Sequence, residues 1–187
     1  MRGPRGRPEV TVRRDAATPM AAFAGLRVEV WGCGALGGWI ADCLDRAGVA
    51  RLVLRDQARV GPEVLVRQPY DDGDIGDPKA EQLAQRLRRV APEVEVVAHR
   101  ANLLDDPLES GLPSDADLVI DATASRAVAS KLERAVARHR GPRPVLATVM
   151  TCRAAERGLL LVSSADASGS PVDLARKARP PPPPPPT

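Results

Sequence analysis

Residues 26–48, "LRVEVWGCGALGGWIADCLDRAG", decide the fold. The run "LRVEVW" (26–31) is a short, largely apolar strand candidate. Gly32, Gly34 and Gly37 follow with the spacing G-x-G-x-x-G. The next residues place Leu36, Ile40, Cys43, Leu44 and Ala47 on one helical face. A strand, a glycine turn and a helix in that order form a phosphate grip. Gly32 permits the tight turn, Gly34 lets the backbone approach a phosphate, and Gly37 lets helix and strand pack together. The amides at the helix N-terminus then face the anion. The turn alone leaves two ligands open, a nicotinamide or flavin dinucleotide and an ATP, and they imply different chemistry.

Outward from this stretch, strand and helix patterns alternate. "RLVLRD" (51–56), "VEVVA" (94–98), "DLVIDA" (117–122), "PVLATVM" (144–150) and "GLLLVSS" (158–164) read as strands. Residues 77–90 read as a helix capped by Asp77 with Pro78 in its first turn, burying Ala80, Leu83, Ala84, Leu87 and Val90. A second amphipathic helix lies between 125 and 140, marked by Val128, Leu132, Ala135 and Val136. The expected class is α/β, a Rossmann-like fold whose mainly parallel sheet carries helices on both faces. Residues 1–20 read as a basic flexible arm and 21–164 as the folded domain. Residues 165–187 read as a disordered, proline-rich tail ending in seven prolines, Pro180 to Pro186, a polyproline II segment that cannot join a core.

Composition narrows the function classes. Five arginines against Glu9 and Asp15 give the first twenty residues the whole net charge of +3. The remainder is neutral, and with only Phe23, Trp31, Trp39 and Tyr70 as aromatics there is no stacking surface for single-stranded nucleic acid. Cys33, Cys43 and Cys152 are odd in number and never form a C-x-x-C pair, which argues against a disulfide framework or a zinc knuckle. Reduced thiols fit a cytoplasmic protein. No apolar run reaches the length of a membrane span.

Asp56 ends the second strand, nineteen residues beyond Gly37, where a carboxylate accepts hydrogen bonds from a ribose diol. NAD and ATP would use it alike. The segment that follows is long for a connection: "DQARVGPEVLVRQPYDDGDIGDPKAEQLAQRL". With "APEVEV" (91–96), "DLVIDATAS" and "PVLATV", it resembles the ThiF/MoeB/HesA family, bacterial relatives of ubiquitin-activating enzymes. In that family the second strand ends in an Asp. An Asn-x-x-Arg-Gln element, a Gly-x-Pro-Lys helix start and an "NP-x-V" turn follow. The matching pieces are Asp56, "VLVRQ" (64–68), "GDPKAE" (76–81) and "APEVEV", and the likeness spans residues 26 to 164.

The resemblance implies adenylation. The C-terminal carboxylate of a ubiquitin-like or sulfur-carrier protein, ending in diglycine, attacks the α-phosphate of ATP and releases pyrophosphate. Arg67 and Lys79 match the family's phosphate-contacting cations, Asp56 its ribose ligand, and Gln68 follows Arg67 as in the family. ATP, Mg2+ and a homodimer are the implied cofactors and assembly. Charge developing on the phosphates calls for fixed cations, and a carboxylate needs no general base at neutral pH.

Four departures stand against this pattern. Val64 replaces the family's Asn, Ala58 a second acidic residue, and Ala124 the magnesium-associated Asp. Asp121 is then the nearest carboxylate for a metal. The arm carries no "R-Y-x-R-Q" element, which in dimeric members reaches into the partner's site. The chain also ends before the region where family members place a catalytic Cys and zinc-binding cysteines, so it reads as the N-terminal part of a longer protein. Two rival readings remain: an NAD(P)-dependent oxidoreductase, which leaves Arg67 and Lys79 without a task, and a non-catalytic pseudoenzyme that binds a ubiquitin-like partner.

Overall fold

Leu52, Val53 and Leu54 are all buried, as a strand covered on both faces requires. In this computed structural model, which describes residues 19–105, 111–152 and 155–177, the strand lies within a six-stranded sheet. The strands are β1 (Arg27–Trp31), β2 (Arg51–Arg55), β3 (Glu95–His99), β4 (Leu118–Asp121), β5 (Val145–Thr151) and β6 (Gly158–Ser163). They are ordered β3-β2-β1-β4-β5-β6. The first five run parallel, and β6 pairs antiparallel with β5.

The helices divide between the faces. Ala41 and Leu44 of α1 (Gly37–Arg46) pack with Ala80, Leu83, Ala84 and Leu87 of α2 (Lys79–Val90) in one core, over Val28, Val30, Leu52 and Leu54. On the opposite face Val128, Leu132 and Ala135 of α3 (Arg126–Arg138) pack on Trp31, Val119 and Leu146. The Rossmann-like architecture read from the sequence is the observed one. On the α3 face β1 also carries Glu29, which is buried. It accepts two hydrogen bonds from Arg55 of β2 at 2.9 and 3.2 Å and a third from the Trp31 indole at 3.0 Å. Pairing and full hydrogen bonding are what make a buried carboxylate tolerable.

Three local expectations need correction. The buried stripe of α1 runs through Gly37, Gly38, Ala41, Leu44 and Asp45, while Cys43 is exposed. The glycine pair is the reason. A Cβ at Gly37 would sit 1.8 Å from the Gly32 carbonyl and one at Gly38 2.8 Å from Pro69, so these bare positions face inward and turn the helix by one residue. At the start of α2, Pro78 occupies the cap position and Asp77 accepts from the Gln82 amide at 2.7 Å. The first helical amide, that of Lys79, instead donates to the Ala58 carbonyl at 3.0 Å, so the long loop caps the helix. Finally, ordered structure continues past residue 164. A helix, α4 (Pro171–Lys177), is tied to α3 by an ion pair between Arg176 and Glu133. The buried Arg143 holds the segment before α4 by donating to Ser163 Oγ and to the carbonyls of Ala167 and Gly169. Residues 1–18 of the expected arm and 178–187 of the expected tail lie outside the described residues.

Candidate functional site

The chain leaves β1 toward β2 and β3 on one side and returns to β4 on the other, so the strand order reverses between β1 and β4. In open α/β sheets a crevice forms at that reversal, beyond the carboxyl ends of the strands. A cleft of about 280 Å³ lies there. Gly32, Gly34, Asp56, Ala58, Thr123 and Ser125 line it, with Ala101–Leu104 and Val128 forming an apolar side. The size is close to the lower end of small-molecule sites, roughly 300 Å³.

The glycines take three different tasks. Gly32 adopts φ +85° and lies against the backbone of Ala122 and Thr123, where a Cβ would come within 3.1 Å. Gly37 is a packing glycine beneath the turn. Around Gly34 a Cβ would meet nothing nearer than Gln68 Nε2 at 4.0 Å. Its missing side chain therefore leaves the cleft clear instead of relieving a clash.

Asp56 braces the turn as well as facing the cleft. One carboxylate oxygen accepts from the Cys33 amide and the other from the Ala58 amide, each at 2.7 Å. Each oxygen retains a lone pair for a ribose hydroxyl. Cys33 is fully buried, and desolvation, then the Asp56 charge, push its thiol well up, only partly offset by Lys79. It is a packing thiol with no nucleophilic character at neutral pH.

The long loop folds back on this turn. Val60 and Gly76 exchange backbone bonds with their neighbours across its neck, the Val60 amide donating to Asp77 and the Gly76 amide to Val60. Tyr70 is the residue that sequence reasoning missed. Buried at the base of the loop, its hydroxyl reaches the Cys33 carbonyl at 2.8 Å and the Lys79 carbonyl at 3.3 Å, joining the glycine turn, the loop and the start of α2. A tyrosine between Pro69 and an acidic run is the only signal it left in the sequence.

The predicted cations are less uniformly placed. Gln68 is buried against Gly34, its Oε1 without a hydrogen-bond partner among the described residues. Lys79 is half-buried at the first position of α2, close enough to the glycine turn to act electrostatically on Cys33. Arg67 is exposed. Its carbonyl accepts from the Trp39 indole at 3.1 Å, which fixes its backbone to α1. Neither cation lines the cleft itself.

Asp121 is buried, and one of its oxygens accepts from both the amide and the hydroxyl of Thr123, at 3.0 and 2.6 Å. Burial raises its pKa and those hydrogen bonds oppose the rise. Thr123, not Asp121, faces the cleft. Among the described residues no group of three His, Cys, Asp or Glu side chains is placed to hold a metal. No described helix is long and apolar enough to cross a membrane.

Comparison with known proteins matches this geometry. Molybdopterin-synthase adenylyltransferase of Escherichia coli is 36% identical over 107 residues, 57% of this chain and 43% of that protein. The sulfur carrier protein ThiS adenylyltransferase of the same organism is 33% identical over 110 residues, 58% of this chain and 43% of the relative. The chain thus spans less than half the length of these relatives. Among solved structures, E. coli tRNA N6-threonylcarbamoyladenosine dehydratase in complex with ATP superposes with a TM-score of 0.63 and 28% identity, covering 77% of this chain and 58% of that one. The profile of the ThiF family matches residues 16–166, most of the sequence, and the chain belongs to that family.

Proposed function

We propose that this domain binds ATP in the β1–β4 cleft and activates a carboxylate by adenylation. The observation that carries the reading is the meeting in one crevice of the open backbone at Gly34 and the Asp56 carboxylate, with the Lys79 helix start near the glycine turn outside the cleft lining. Asp56 would accept from the ribose hydroxyls. The amides of the glycine turn, with Gln68 and Lys79 beside them, would receive the phosphates. A carboxylate oxygen of the substrate forms a bond to the α-phosphorus while the bond to the bridging oxygen of pyrophosphate breaks. The leaving pyrophosphate carries away the charge that Lys79 and Arg67 are there to stabilise. The ATP complex of the dehydratase supports the nucleotide assignment.

The preferred substrate is the C-terminal carboxylate of a diglycine-ended ubiquitin-like or sulfur-carrier protein, acting in the cytoplasm. Relatives named for tRNA threonylcarbamoyladenosine make a nucleoside-borne carboxylate the second substrate class to assay. A homodimer belongs to this reading, and the exposed Leu160 and Val162 on edge strand β6 are the apolar surface it would cover. The test is ATP–pyrophosphate exchange driven by carrier protein or by tRNA. Lys79→Ala with Arg67→Ala should cut exchange by about a hundredfold, the scale of losing a charge-stabilising donor. Unchanged exchange removes the site assignment. Thermal stabilisation by NADH in place of ATP would favour the oxidoreductase reading.

A further inference from the structure

The ammonium of Lys131 is buried inside the fold. The residue is 6% exposed, on the inner side of α3 beside Leu132, where an apolar residue would serve packing without desolvating a charge. Its Nζ donates to the carbonyl of Leu104, twenty-seven residues earlier. Leu104 ends the run Ala101–Leu104 that forms the apolar side of the cleft.

That run is otherwise tied mainly to itself. Asn102 Oδ1 accepts from the Leu104 amide at 3.0 Å, Asn102 Nδ2 donates to Asp105 at 2.9 Å, and the Asp105 amide donates to the Asn102 carbonyl at 3.0 Å. Leu103 packs into the α3 core while Leu104 stands exposed. Among the described residues the turn is hydrogen-bonded within itself, and the Leu103 side chain and the Lys131 hydrogen bond are links that join it to α3. Asp56, Gly32 and Gly34 line the same cleft, so Ala101–Leu104 is within the space open to the base of a nucleoside whose ribose sits on Asp56.

We infer that Lys131 is a positioning residue, fixing the Leu104 carbonyl and with it the wall against which the nucleotide's base packs. The inference rests on the nucleotide reading above. A wall built on a short loop takes its rigidity from the element it is tied to, here α3.

Two variants test it. Lys131→Met keeps length and suits a buried helix face, and Lys131→Arg keeps a donor. In nucleotide-free protein, Lys131→Met should speed amide exchange at Leu104 and Asp105 by about tenfold and leave Val28–Trp31 unchanged. ATP should bind about tenfold more weakly, with the exchange rate at saturating ATP within about twofold of the parent. Inorganic tripolyphosphate, a probe without a base, should bind as before, and Lys131→Arg should retain most ATP affinity. Equal weakening of ATP and tripolyphosphate means a merely structural lysine and overturns the inference, as does unchanged ATP affinity. A parent chain that binds tripolyphosphate but not ATP refutes the nucleotide reading and this role together, while amide exchange separately reports whether the latch exists.

Discussion

Asp45 is a buried carboxyl without a hydrogen-bond partner among the described residues, and it makes stability depend on pH in an unusual direction. The residue is 1% exposed on the inner face of α1, and neither carboxylate oxygen has a hydrogen-bond partner among the described residues. Burial, then the nearby Asp42 and Glu93, raise its pKa from 3.8 to about 7, with Arg46 opposing. Asp42 is itself paired, at 2.7 Å to Arg46 and 4.0 Å to Arg86 of α2, so those cations are already engaged. A carboxyl whose folded pKa lies above its unfolded one holds its proton more tightly when folded. Its contribution is fully present below about pH 4 and is lost as pH rises through about 7. The whole shift corresponds to roughly 4 kcal/mol, and the window between pH 5 and 8 should span about 2–3 kcal/mol. Urea denaturation at several pH values, for the parent and Asp45→Ala, measures this directly. The variant should be more stable at pH 8 by about 2 kcal/mol, and the gap should close toward pH 5. Parallel profiles for the two proteins would refute the assignment, because every other titrating group is common to both.

The remaining predictions probe the turn and its supports. Gly37→Ala drives a Cβ to 1.8 Å from a backbone oxygen and should cost about 3 kcal/mol or more in denaturant melts, whereas Gly34→Ala should fold normally and lose ATP affinity by titration. Tyr70→Phe removes the hydroxyl shared by the Cys33 and Lys79 carbonyls and should cost about 1–2 kcal/mol, with ATP binding weakened in the same protein. Ala124 holds a left-handed backbone at φ +53°, so Ala124→Gly should stabilise by about 1 kcal/mol. Ala124→Asp, which tolerates that backbone and restores a carboxylate, should raise pyrophosphate exchange at high magnesium.

The strands and the principal helices were legible because each carries its period in its own residues. Leu83, Ala84 and Leu87 announce α2 without reference to anything distant. The glycine turn was legible for the same reason, down to the packing task of Gly37. What the sequence hid was long-range and polar. Cys43 looked like part of the buried face of α1 because nothing nearby revealed that Pro69 would press on Gly38. The roles of Tyr70 and Lys131 depend on carbonyls at Cys33 and Leu104, and a backbone carbonyl has no residue identity to read. Asp121 illustrates the converse. Its strand-end position suggested a ligand, and the sequence did not show that the Thr123 amide and hydroxyl would engage one of its oxygens.

The departures from the family pattern differ in physical kind, and that difference bears on what the domain retains. Val64 is buried in the main core, and its carbonyl accepts from the amides of both Arg67 and Gln68 at 3.0 Å. The loop that carries the proposed cations is therefore anchored through backbone and apolar packing, neither of which needs an Asn side chain. Ala58 likewise works through its backbone, donating to Asp56 and accepting from Lys79. Ala124 is different. It keeps a backbone conformation that favours Gly, Asn or Asp, and supplies none of the chemistry those residues bring. Val64 and Ala58 thus keep their backbone roles in the loop without the side chains of the family pattern, while Ala124 keeps only a strained backbone. On the adenylation reading proposed above, the Ala124→Asp variant therefore tests turnover apart from binding: pyrophosphate exchange should rise while ATP affinity stays within about twofold of the parent.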